Sequence, residues 1–142
     1  MSAYADTSFL ASLYVLDSSS DLAAARMKRT KLPLLITPFG ELELTNAVAL
    51  RLFRKELSAS QVKAAHALIP KDLEDGVLMV NALPASAFER AKQIARRQTP
   101  RLGTRTLDVL HVASALALQT DTFYPFDTRQ ANWPRPEGLL VR

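Results

Sequence analysis

The chain has 142 residues, 48% of them hydrophobic, which suits a single domain (1–142) with a buried core and leaves no room for a second. With no Cys and only two His, it has no disulfides, no thiol catalysis and no sulfur-rich zinc site. Eighteen basic against fourteen acidic residues give a formal charge of +4, a surplus suited to a polyanion, while the lack of a secretory signal and of a membrane-length apolar run leads us to expect a cytoplasmic protein.

Ser2 to Ala5 read as a short strand ending at Asp6, with Thr7 or Ser8 capping a helix that carries Phe9, Leu10, Leu13 and Tyr14. Ser18-Ser19-Ser20 is a turn, Asp21 to about Arg29 a second helix, and Leu34 to Ile36 a buried strand. Thr37 as cap and Pro38 in the first turn open a helix running to about Lys55. Further helices are expected over Ser58 to about Ile69, Pro84 to about Gln98 and Leu107 to Gln119. Strands are expected at Val77 to Val80, before Asp127, and at Leu139 to Val141. Strands alternating with helices predict an α/β fold with a mostly parallel sheet covered on both faces. Ligands of such folds gather beyond the carboxyl ends of the strands, where strand order reverses.

Four carboxylates interrupt segments that otherwise read as core: Asp6, Glu43, Asp108 and Asp127. Burying a carboxylate is costly unless a cation or several donors compensate it, so four such positions point to a shared cation. Oxygen donors favour Mg²⁺ or Mn²⁺ over softer metals. On the helix after Thr37, a 100° step puts Glu43 with Phe39, Asn46, Ala47 and Leu50 and turns Glu41 away. Arg51 and Arg54 lie further along Glu43's side and offer it a purely structural partner. Leu44, Val48 and Leu52 form a second apolar stripe, available as a subunit contact. Asp108 has a structural explanation of its own in the helix dipole, and Asp127 one as a turn residue or cap. His111, one turn after Asp108, reads as a satisfied core histidine, and His66 receives no role. Thr7 and Ser8 supply hydroxyls beside Asp6, one to order a water on the ion and the other to cap the helix.

Such an ion can polarise a phosphate oxygen and activate water, so phosphodiester hydrolysis fits. A Gly-rich phosphate loop, a nucleophile-elbow Ser and a Cys nucleophile are all missing. Arg90, Lys92, Arg96, Arg97, Arg101 and Arg105 form an acid-free basic run leading to Asp108, suited to a nucleic-acid backbone, with Arg105 as the expected phosphate contact. Arg26, Lys28, Arg29 and Lys31 make a second basic cluster.

In order along the chain stand Tyr4-Ala5-Asp6-Thr7-Ser8-Phe9-Leu10, Glu43-Leu44-Thr45-Asn46-Ala47-Val48, Gly103 to Ala113 with Asp108 at its centre, and Phe126-Asp127-Thr128-Arg129-Gln130. This ordered set resembles the PIN-domain family, specifically the VapC-type ribonuclease toxins of type II toxin–antitoxin pairs, across nearly the whole chain. The resemblance implies a three-layer α/β/α sandwich around a parallel sheet of about five short strands, with Asp6, Glu43, Asp108 and Asp127 as the acidic quartet. It also implies Mg²⁺ or Mn²⁺, an RNA substrate, a homodimer and a cognate antitoxin protein. Pro125 departs from the family pattern, removing a hydroxyl and a backbone donor. The run Asn132 to Pro136 breaks the family's last short helix, and Trp133 there is expected to plug the core edge or touch a partner. Two rival readings therefore stand beside the toxin nuclease: a PIN-like module that binds RNA or a partner without cutting, and a housekeeping RNA-processing nuclease.

Overall fold

The computed structural model describes residues 2–124 and the backbone of 140–141. Asp127, Pro125 and Trp133 lie outside the described residues. In chain order the elements are β1 (Ala3–Ala5), α1 (Thr7–Tyr14), α2 (Ser20–Met27), β2 (Leu34–Ile36), α3 (Pro38–Phe53), α4 (Ala59–Glu74), β3 (Leu78–Val80), α5 (Ser86–Leu102), α6 (Thr106–Ala117), β4 (Thr122–Tyr124) and β5 (Leu140–Val141). Four three-residue strands and a two-residue edge strand form one parallel sheet in the order β3-β2-β1-β4-β5. The chain builds outward from β1 on one side and returns to its other side at β4. The reversal of strand order therefore falls between β1 and β4, with Ala5 opposite Tyr124.

Period-2 alternation divides the strand residues between two cores. Ala3, Ala5, Leu34, Ile36, Leu78 and Tyr124 pack with Phe9, Leu10, Leu44, Val48, Val62 and Ile69 from α1, α3 and α4. Tyr4, Leu35 and Phe123 face the other way, against Ile94 of α5 and Val109, Val112 and Ala113 of α6. The expected three-layer sandwich is thus formed, with α1 to α4 on one face and α5 and α6 on the other. No helix among the described residues is long and apolar enough to cross a membrane.

Three expectations need correction. Leu44 and Val48, read as a spare stripe for a subunit contact, are fully buried core residues, and only Leu52 of that stripe is exposed. Helix α4 was expected to stop before Pro70 but runs through it to Glu74, and α5 runs through Pro100 to Leu102. An interior proline costs a hydrogen bond and roughly 3 kcal/mol, yet tertiary contacts beyond each one offset that. Tyr14 Oη donates to Asp72 at 2.6 Å and Leu73 packs on the first core, while Leu102 packs on the second. Gly103 closes α5 at φ 61°, its N–H donating to Thr99 O at 2.8 Å. The third correction concerns the start of α1: neither Thr7 nor Ser8 caps it, because Asp6 does so itself.

Candidate active site

Asp6 follows β1 with extended backbone (φ −79°, ψ 173°) and serves as the N-cap of α1. Its Oδ1 accepts from Phe9 N at 3.0 Å and from Ser8 Oγ at 2.8 Å. Both serine and backbone donors thus fall on one carboxylate oxygen. Burial, with only 4% of the residue exposed, pushes the Asp6 carboxyl up to about 6. The Phe9 amide, His111 and Ser8 oppose that rise, and the nearby Asp108 adds to it.

Glu43 lies in the second turn of α3, whose start is fixed by the buried Thr37 accepting from Gly40 N at 3.1 Å and by Pro38 in the first turn. Glu43 Oε1 accepts from Thr7 Oγ1 at 2.9 Å and from His111 Nε2 at 2.5 Å. Burial would raise this carboxyl, but the hydrogen bond and charge of His111, followed by Thr7 and Arg105, hold it below the usual carboxylate range. Arg51, whose helix position had offered Glu43 a structural partner, instead bridges Asp17 at 3.3 Å and Glu56 at 3.6 Å. The structural reading of Glu43 as an arginine-balanced acid thereby loses Arg51.

Asp108 occupies the first turn of α6 and is 16% exposed in its side chain; its Oδ2 accepts from Arg105 Nε at 3.0 Å. His111, one turn on, is 2% exposed but does not bond Asp108. It joins three elements instead. Nδ1 meets Tyr4 Oη at 2.6 Å, Nε2 meets Glu43, and Thr7 Oγ1 lies 3.4 Å from Nε2. The ring packs against Phe39 with centroids 4.6 Å apart; a Cβ added at Gly40 would meet His111 Cε1 at an ordinary 3.7 Å but crowd the capping Thr37 Oγ1 at 3.2 Å. Reading His111 as a core histidine captured its burial and missed its link to an acid. Its place on the only strongly polar side of α6 was the available signal.

Asp6, Thr7, Ser8, Glu43, Arg105, Asp108 and His111 line one cleft of about 530 Å³, which continues along α3 past Ala47 and Leu50 to Arg51 and Arg54. Three of the four expected acids, 37 and 65 residues apart in sequence, thus open on the same space at the β1/β4 reversal. Asn46 is exposed and does not line the cleft. Of the basic run from Arg90 to Arg105, only Arg105 does; Arg90, Arg96 and Arg97 border a separate shallow depression on α5. The cations beside the acids that the sequence reading did not assign to substrate are Arg51 and Arg54.

The donor set fits a hard divalent ion. Among the described residues, Asp6 Oδ2, Glu43 Oε2 and Asp108 Oδ1 accept no hydrogen bond, while the other oxygen of each carboxylate is held by protein donors. Among the described residues, no group of three or more His, Cys, Asp or Glu side chains is gathered closely enough to hold a metal ion. The fit therefore rests on donor chemistry and on a common cleft.

No protein-family model and no curated protein matches the chain. Among solved structures, it is similar to VapC20 from Mycobacterium tuberculosis, a sarcin-ricin loop cleaving toxin, with TM-score 0.68 and 22% identity over 99% of each chain. It is also similar to FitAcB from Neisseria gonorrhoeae, with TM-score 0.68 and 16% identity over 98% of this chain and 95% of that one. At these identities the likeness is one of fold, and the chain has the PIN-domain fold, shared with VapC20 over its full length.

Proposed function

We propose that the protein is a metal-dependent endoribonuclease that hydrolyses RNA phosphodiester bonds. The observation that carries this reading is the meeting of Asp6, Glu43 and Asp108 in one cleft, each with one carboxylate oxygen that accepts no hydrogen bond from the described residues. These three, with Asp127 as the expected fourth ligand, would hold Mg²⁺ or Mn²⁺. When bound, such an ion supplies charge stabilisation at the phosphate and lowers the pKa of water. Arg54 and Arg105 add positive charge along the cleft to hold the phosphate backbone.

The fold it shares with VapC20, together with the ordered motifs, supports a toxin role; a cytoplasmic location, an antitoxin protein covering the site and a homodimer belong to the same proposal, as the resemblance to VapC-type toxins implies. The test is cleavage of a defined RNA by purified protein with Mg²⁺ or Mn²⁺, with chelator, and by Asp6→Asn and Glu43→Gln variants. Metal-dependent cleavage that both variants lose is expected. Equal cleavage by the folded variants would remove the assignment.

A further inference from the structure

Glu43 is held in an unusual way for an exposed-edge carboxylate. Two donors from two different helices, Thr7 Oγ1 of α1 and His111 Nε2 of α6, fall on the same oxygen, Oε1. A carboxylate oxygen can only accept, so Nε2 carries a ring proton, and in the neutral ring Nδ1 is left to accept from Tyr4 Oη. Tyr4 is placed to donate: it is fully buried, with its Oη 2.6 Å from Nδ1. Tyr4 belongs to β1, the strand that delivers Asp6 two residues later. The chain Tyr4–His111–Glu43 therefore ties the orientation of one acid to the strand carrying another.

We propose that His111 is a positioning residue which, with its tautomer set by Tyr4, locks Glu43 so that Oε2 alone faces the cation. The proposal rests on the metal-nuclease reading above and adds a residue to it. A glutamate side chain has rotamer freedom that must be lost on binding an ion unless it is lost already. Fixing Oε1 removes that freedom during folding and leaves a monodentate ligand. Partners behind a metal ligand typically contribute 10- to 100-fold to metal affinity. The packing of the ring against Phe39 and Tyr4 gives His111 a structural role as well, which the experiment must separate from positioning.

The measurement is calorimetric Mn²⁺ titration of the purified full chain, with urea unfolding in chelator to record the stability of each variant. His111→Phe keeps an aromatic ring and removes the donor; His111→Gln places an amide N–H near the position of Nε2; His111→Asn is polar but too short to reach Glu43. We expect the Phe and Asn variants to bind Mn²⁺ on the order of 10- to 100-fold more weakly than wild type, and Gln to recover most of that loss whatever its stability. Wild-type affinity in folded His111→Phe would overturn the proposal alone. If His111→Phe does not fold, equal affinities of the Gln and Asn variants would do so. A wild-type protein that takes up no Mn²⁺ would remove the nuclease reading, and the proposal with it.

Discussion

Replacing Asp6 by Asn should make the metal-free protein more stable at neutral pH while abolishing its activity. Asp6 is almost wholly buried, and burial lifts its pKa from 3.8 to about 6. Between those values the folded state binds more protons than the unfolded one, so stability falls as pH rises through the window. The Asp6 charge is therefore destabilising above pH 6, and this cost disappears below about pH 4. At about 1.36 kcal/mol per pH unit the ceiling is roughly 3 kcal/mol. Asn keeps an oxygen for Phe9 N and Ser8 Oγ, so the cap survives and only the charge goes. Allowing for the polar amide that remains, a gain of about 1–3 kcal/mol is expected at pH 7.5, or a few degrees in Tm. Urea unfolding in chelator, followed by circular dichroism at pH 7.5 and 4.0, measures it. Other titrating groups cancel in the difference between variant and wild type. An Asn variant that is no more stable at pH 7.5, or whose advantage is as large at pH 4.0, would refute the reasoning.

Leu44→Ala should lose about 2–5 kcal/mol in the same unfolding assay, because Leu44 is fully buried in the first core and was not available as an interface residue. Gly103→Ala should lose about 1–2 kcal/mol: its φ of 61° disfavours a Cβ although no atom lies within 4 Å of one, and a crystal structure of the variant should show α5 otherwise unchanged. Arg54→Ala should leave stability within about 0.5 kcal/mol. It should weaken single-stranded RNA binding and lower the slope of log K against log salt by about 0.7, measured by fluorescence anisotropy.

The fold was legible because short apolar strands alternate with capped helices, and every expected strand between Ala3 and Tyr124 is present. Thr37 and Pro38 fixed the start of α3 as local chemistry says they should. Helix ends at Pro70 and Pro100 were misread because long-range packing outweighs a local breaker there, and no local pattern records Tyr14 reaching Asp72. The stripe of Leu44 and Val48 was misassigned because periodicity shows which residues share a face but not which face meets the sheet. In the site, the acids were visible as polar breaks in apolar segments. The donors behind them were not, since Thr7, Glu43 and His111 come together only through the packing of α1, α3 and α6.

Asp17 provides a control within the same molecule. Like Asp6 it lies just before a helix and accepts from the serine and backbone amide that follow it, with Ser19 N at 2.8 Å and Ser20 Oγ at 3.4 Å on Oδ1. Its second oxygen is also satisfied, by Ser12 Oγ at 3.1 Å and Arg51 Nη2 at 3.3 Å. The outcome for the charge is opposite. Although burial raises both carboxyls, the donors around Asp17 bring it below the ordinary value, whereas Asp6 stays well above. A carboxylate that serves the fold alone has donors on both sides and stabilises the folded state as an anion. Among the described residues Asp6 has donors on one side only; it shares the cleft with Asp108 and is held charged at neutral pH against its own burial. Nothing in folding requires that second oxygen to be left without a donor from the described residues at the place where strand order reverses. A positive ligand entering the cleft would relieve this cost, so binding there and folding are coupled through Asp6.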